Sequence, residues 1–338
     1  MNKKTLTTIA AALILLAAVA CSRQPSPAQI QQEYTNLEAA MKADFTAWQK
    51  SGGEPADPRL TWRKRWQEFV EKYPNAEQAS KAHFWILSLM RSMQDMKGVA
   101  DYLQIAARYP NNSAVPAIIN ASVPQHLQLY GIESASQQLK KITATSKVRE
   151  NQAAASLTIA FLQPDDPKRV EALQLFLDTY GNTSQSEEAR RALDEFKQVG
   201  IGAQAPAFEF NDLNGKQISL SDLKGRWVLL DFWATWCGPC AAELPELKAI
   251  HAQFKDNQKF AMIGISLDQD KKELLERLKK DKIGWSQYFD GKGWENRITR
   301  LYRVTSIPDS FLIDPDGKIQ YKEMPGAEVR KILAEKLR

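Results

Sequence analysis

The sequence predicts two joined bodies: an all-α helical domain over residues 28–199, then an α/β domain over 207–338. Three observations carry this reading. From Ala28 to Val199 apolar residues recur at helical spacing, with no run of alternating β-branched residues. At the 200–206 linker, Gly200, Gly202 and Pro206 punctuate the chain and the periodicity changes. Beyond it, short apolar runs alternate with charged amphipathic stretches, an order that builds a sheet with helices on both faces.

The first twenty residues read as an address. Lys3 and Lys4 precede an apolar run from Ile9 to Ala20, too short for a helix to cross roughly 30 Å of hydrocarbon. A basic start and a small-residue end are those of a secretory signal peptide over 1–20. Ala18-Val19-Ala20-Cys21 resembles a bacterial lipoprotein box, with Ala18 where Leu is commonest. That resemblance implies lipidation of Cys21, residues 21–27 as lipid anchor and tether, and a membrane-held protein facing the periplasm. Ordinary signal-peptidase cleavage at the same bond is the alternative, leaving a soluble periplasmic chain with a free Cys21. No later segment is apolar for long enough to span a bilayer.

Within the helical domain a short motif recurs. Phe69–Asn75 is echoed by Ile105–Asn111 and by Phe176–Asn182, each with a tyrosine at the same place. Tyr73 and Tyr109 lie 36 residues apart and Tyr180 a further 71, so a degenerate copy is expected near Thr145. Leu139, Ile142 and Ala153 to Leu157 supply its apolar positions. A period of this size predicts helix-turn-helix pairs, each covering its neighbour's apolar face. The spacing and the Tyr-Pro ending resemble tetratricopeptide-like hairpin repeats, although most of that consensus is missing; an irregular helical bundle is the other reading. Trp48, Trp62, Trp66, Phe69 and Trp85 are expected in a core rather than in a ligand groove. His83 and His126 have no partner pattern and are expected to be structural.

After the seam, Phe208–Phe210 and Gln217–Leu220 flank Asn214-Gly215, a hairpin signal. Trp227 to Trp233 is an apolar run broken only by Asp231, and reads as a buried strand. A helix follows to about Phe254, then a second buried strand over Phe260–Leu267 and an amphipathic helix over Lys271–Asp281. Two strands, Ser310–Ile313 and Ile319–Lys322, flank Asp314-Pro315-Asp316-Gly317, and a helix over Ala327–Arg338 closes the chain.

Composition excludes several classes before any chemistry is named. The net charge is +5, and +2 from residue 201 onward, so there is no basic field for nucleic acid and no nucleic-acid partner is expected. Three cysteines cannot staple a disulfide mini-domain, and three histidines leave little for a metal site.

The chemistry lies in Asp231-Phe232-Trp233-Ala234-Thr235-Trp236-Cys237-Gly238-Pro239-Cys240. A strand leading into a helix puts Cys237 at the helix N-terminus, where unpaired N–H groups and the positive dipole end favour a thiolate. Cys237 is therefore expected as the exposed nucleophile, and Cys240, one turn later and more buried, as the resolving thiol. Pro239 sits near the first helical position, where a missing N–H costs nothing, and Gly238 keeps the rim open. A carboxylate at Asp231 is expensive to bury, and its pKa is expected to rise.

This segment closely resembles the active site of thioredoxin, and residues 203–338 are similar to the TlpA/ResA-type membrane-associated thiol–disulfide oxidoreductases. Glu243 and Pro245 after the motif, and Ile307-Pro308 before Ser310–Asp314, belong to the likeness. The resemblance implies a thioredoxin-like fold and dithiol–disulfide exchange with disulfide-containing protein substrates. It implies Asp231 as the general acid and base for Cys240, and Glu243 as a residue lining the site, where a solvated helix position is the other reading. It further implies Pro308 as a cis-proline facing the cysteines, Ile307 shaping that contact and Trp236 forming part of the docking surface. No cofactor is implied. A thiol-transporting membrane protein is implied as reductant donor, and cytochrome c apoproteins are one substrate class of such families. The Gly-Pro pair between the cysteines matches a reducing rather than an oxidising relative.

Other readings of this motif are weaker. A zinc site needs further ligands, and only His251 is near. A peroxiredoxin-like peroxidase lacks the proline expected upstream of Thr235. From a different class comes a helical-repeat scaffold whose redox domain only regulates partner binding.

Overall fold

A computed structural model describes residues 25–54 and 56–338. The expected signal peptide, Cys21 and the start of the expected tether lie outside these residues. Among the described residues no helix is long and apolar enough to cross a membrane. The chain divides into two compact units, one ending at Ile159 and the other spanning Ala160–Arg338.

The first unit is helical. It contains α1 (Pro27–Lys50), α2 (Arg59–Lys72), α3 (Glu77–Ser92), the short α4 (Met96–Asp101) and α5 (Leu103–Arg108), and α6 (Val115–Thr145). α7 (Arg149–Phe161) follows. A capping box opens α1: the Ser26 hydroxyl accepts from the Gln29 N–H while the Gln29 side chain accepts from the Ser26 N–H. Trp62, Trp66 and Phe69 line the buried face of α2: Trp66 and Phe69 meet Tyr34 of α1, Trp66 also meets Met41, and the Trp62 indole N–H donates to the Asp44 carboxylate. Trp48 and Trp85 are only half-buried, against the expectation for a core. Each keeps its indole N–H on a polar partner, the Gly53 carbonyl and the Tyr34 hydroxyl, as an amphipathic ring at a core margin must.

Turns recur in this unit and are tied to one another. The helices before them end at Lys72, Arg108 and Thr145, the last where the degenerate copy is expected. The Asn112 side-chain amide donates to the Pro74 carbonyl at 2.7 Å. The Ser146 hydroxyl donates to the Pro110 carbonyl at 2.7 Å, and the Lys147 N–H to the Asn111 side chain at 2.6 Å. α6 itself breaks at Gly131, whose φ of 76° is left-handed, giving two helical halves between one turn and the next. His83 and His126 are buried in this frame. His83 meets the Tyr102 hydroxyl at 2.7 Å and burial pushes it down to about 4, while His126 bonds the Ala100 carbonyl and the Ser134 hydroxyl.

The second unit begins before the expected seam. It holds α8 (Asp166–Tyr180) and α9 (Ser186–Val199) together with everything after them. Three contacts explain the shift. Val199 is buried in the core under the sheet. The buried Asp166 carboxylate accepts from the Ile201 N–H at 2.6 Å. Gln198 accepts from the Arg303 guanidinium at 2.8 Å. Residues 200–206 are thus no free linker: Gly202 N–H donates to the Ile319 carbonyl, Ile319 N–H to Ala203, and Ala205 N–H to Gly317, as a strand would.

The hairpin β1 (Glu209–Asn211) and β2 (Gln217–Ser219) turns at Gly215, with φ 81°. The main sheet comprises β3 (Trp227–Trp233), β4 (Phe260–Ser266), β5 (Ser286–Tyr288), β6 (Asp309–Ile313) and β7 (Ile319–Lys322), in the order β5-β4-β3-β6-β7. β3 pairs parallel with β4 and antiparallel with β6. The helices are α10 (Gly238–Phe254), α11 (Lys271–Asp281), α12 (Arg297–Leu301) and α13 (Gly326–Lys336). Val228, Leu230 and Phe232 point into one core with Leu274, Ile298 and Tyr302. Leu229 points into the other, with Leu247 and Ile250 of α10 and Val329 and Leu333 of α13. This is the thioredoxin-like arrangement, and it delivers the end of the central strand β3 to the start of α10.

Candidate active site

Cys237 is the N-cap of α10, in extended conformation, and its Sγ accepts from the Cys240 N–H at 3.1 Å. Pro239 occupies the first turn, where no intrahelical partner for its nitrogen exists. The two cysteines form a disulfide. The expected contrast between an exposed Cys237 and a more buried Cys240 is absent, since both residues are 5% exposed. In the oxidised form each sulfur covers the other, which removes the asymmetry. A Cβ added at Gly238 would meet nothing within 4 Å, so the rim is open there. Trp236 is 57% exposed beside it. The Ile307–Pro308 peptide is cis, with Ile307 packed on the core and Pro308 exposed.

Asp231 is buried on the Leu229 face of β3. Asp231, Cys240, Glu243 and Pro308 line one space of about 10 Å3, roughly the room a single water needs. A second cleft of about 220 Å3 joins Asp231 and Glu243 to Pro308, Asp309 and Glu323. Burial pushes the Asp231 carboxyl up to about 7, with smaller contributions in the same direction from the charges of Glu243 and Asp309. The half-buried Glu243 therefore faces the site and not open solvent alone. Asp309, beside Pro308, is pushed up to about 6, first by its own burial.

Sequence reasoning missed three residues here. Asp268 is buried and accepts from the Thr235 N–H at 3.0 Å and the Thr235 hydroxyl at 2.6 Å, holding the loop before Cys237. Trp294 lies with its ring centroid 6.4 Å from that of Trp236. Asp309 is the third. The available signals were an acid directly after an apolar strand, a tryptophan in a glycine-flanked loop, and a charge next to Ile307-Pro308. Pro245 lies inside α10, which continues through it. His251 packs on Trp285, with centroids 5.4 Å apart. Among the described residues no group of three or more His, Cys, Asp or Glu side chains is placed to hold a metal ion.

The model of the AhpC/TSA family matches residues 201–322. The thiol-disulfide oxidoreductase ResA of Bacillus thuringiensis subsp. konkukian is 36% identical over 144 residues, 42% of this chain and 79% of that protein. ResA of Bacillus subtilis is 33% identical over 123 residues, 36% of this chain and 66% of its own length. Among solved structures, the thioredoxin domain of a thiol-disulfide oxidoreductase from Bacteroides vulgatus is 32% identical, covering 42% of this chain and 100% of that one, with a TM-score of 0.38.

Proposed function

The chain belongs to the thiol–disulfide oxidoreductase family of its ResA relatives, and from that premise we propose that Cys237 and Cys240 are its exchanging pair, reducing protein disulfides on the periplasmic side of a bacterial envelope. One observation supports this above others: Cys237 Sγ sits at the start of α10 on the Cys240 N–H, with Asp231 lining the same small space as Cys240.

In the reduced protein, the N-terminal amides and dipole of α10 stabilise a Cys237 thiolate. That thiolate attacks one sulfur of a substrate disulfide; the substrate S–S bond breaks, and the first substrate thiolate departs and takes a proton from solvent. Cys240 then gives its proton to the Asp231 carboxylate, and its sulfur attacks Cys237 Sγ. The second substrate thiolate leaves, the Cys237–Cys240 disulfide forms, and two electrons have passed to the substrate. A carboxyl with a pKa near 7 both accepts and returns that proton at neutral pH. Re-reduction requires a dithiol donor, which a membrane thiol transporter supplies in this reading. Trp236, Gly238, Ile307 and Pro308 form the rim on which an extended substrate segment lies.

Cys240→Ser, with the full chain and reduced insulin excluded, should accumulate a mixed disulfide with oxidised insulin through Cys237, and Cys237→Ser should form none. A mixed disulfide formed only by Cys237→Ser would reverse the roles. The reduction potential, measured with Cys21→Ser so that no third thiol interferes, is expected at or below about −250 mV; a value above about −150 mV would make the protein an oxidant. Lipidation of Cys21 is part of the same proposal, and palmitate labelling that survives Cys21→Ser would remove it.

A further inference from the structure

Trp236 and Trp294 are 57% and 43% exposed, yet neither is a stray surface ring. Their centroids lie 6.4 Å apart at 53° between planes, inside the range of favourable aromatic pairs. They come from segments nearly sixty residues apart, and a buried polar network fixes both. Asp268 accepts from Thr235, next to Trp236, and from the Ser266 hydroxyl at 2.8 Å. The Asn296 amide donates to the Ser266 carbonyl at 3.1 Å, and the Asn296 N–H donates to Gly293, beside Trp294. Asn296 is fully buried and also caps α12, accepting from Ile298 and Thr299. The backbone that carries both rings is therefore held in place before anything binds, which lowers the ordering cost of a contact.

Two adjacent exposed indoles are an unusual use of surface unless something covers them, and tryptophan is enriched where binding energy concentrates. Trp236 adjoins Cys237 in the chain, so the pair continues the rim of the disulfide rather than forming a separate patch.

We infer that Trp236 and Trp294 form a two-ring platform that receives an apolar or aromatic side chain of the substrate polypeptide, carried on an extended stretch a few residues from its disulfide. The inference rests on the exchange role of Cys237 and Cys240, and it names how that site selects a polypeptide over a small disulfide. A small disulfide such as oxidised glutathione has no side chain to reach Trp294.

The test compares the full chain with Trp294→Ala and Trp294→Phe. The ratio of kcat/KM for insulin reduction to that for oxidised glutathione should fall about three- to tenfold in Trp294→Ala, chiefly through KM. Trp294→Phe should recover most of the ratio. An unchanged ratio overturns the inference. So does a slower re-reduction of the oxidised protein by reduced thioredoxin with the substrate ratio intact, since the platform would then serve the donor. If the unmodified chain reduces neither disulfide, the exchange assignment fails by itself. The platform then stands or falls on equilibrium binding of carboxymethylated insulin B chain, which Trp294→Ala should weaken by the same factor and which equal binding would refute.

Discussion

Glu243, one turn beyond Cys240 on α10, adds its charge to burial in raising the pKa of Asp231. Folding thus holds a proton that the unfolded chain releases. With the carboxyl at about 7 in the fold against 3.8 unperturbed, the associated stability is complete below pH 4 and is lost as pH rises through 7. Its upper size is about 4 kcal/mol. Asp231→Asn should therefore gain stability relative to the parent chain as pH rises from 4 to 8. Thermal unfolding at several pH values checks this, and a difference that does not change with pH contradicts it.

The same substitution should act on one kinetic step. Asp231→Asn is expected to slow decay of the mixed disulfide by 10²-fold or more, roughly, while leaving its formation nearly unchanged. Glu243→Gln should shift the pH midpoint of that decay downward, because it removes a charge that raises Asp231. Rapid quench with acid and separation of the mixed disulfide reads both; equal slowing of both steps would deny Asp231 its place.

Asp268→Ala strips the acceptor from the Thr235 N–H and hydroxyl and from Ser266. A cost of about 1–3 kcal/mol is expected from the groups left unpaired, and Asp268→Asn should recover part of it. Urea unfolding of the three proteins measures the loss, and an unchanged midpoint in Asp268→Ala would show that the loop does not depend on it.

A piece of the chain starting at Ala160 should be more stable than one starting at Ile201. The shorter piece loses the buried Val199, the Gln198–Arg303 hydrogen bonds and the Asp166 carboxylate on Ile201. The difference should reach about 2 kcal/mol or more, and equal denaturation midpoints would place α8 and α9 outside the fold of the redox domain.

Asn112→Ala should cost the first unit about 1–3 kcal/mol. The side chain donates to Pro74 and accepts from the Ala114 N–H at 2.8 Å, so one substitution unties one turn from the next. Circular dichroism during thermal unfolding follows it.

The central strand and its exit were legible because they combine signals that agree. Trp227 to Trp233 is apolar enough to be buried on both faces, and a proline in the first helical turn fixes where α10 starts. The carboxylate within that run was conspicuous for the same reason, since its cost needs an explanation. β5 was missed because Ser286–Tyr288 is three residues long and polar at its start, so no period can be read from it. Asp268, Trp294 and Asn296 were missed because their roles depend on residues far away in the chain, brought together only by the order of the strands. The seam was read from glycine and proline, which mark a change of backbone direction but not whether the segment is free. Here hydrogen bonding to β7 uses those same residues as part of the sheet's margin.

That margin has a consequence for the behaviour of the protein in concentrated solution. Gly202 and Ala203 bond backbone to backbone with Ile319, the first residue of β7, and Ala205 with Gly317 just before it, so the start of that outer edge has its donors and acceptors paired. An open row is what lets two copies zip together edge to edge. Pairing Gly202 and Ala203 with Ile319 closes the start of that edge to such a contact, and removing the stretch expected to be a linker would leave the Ile319 donor and acceptor bare.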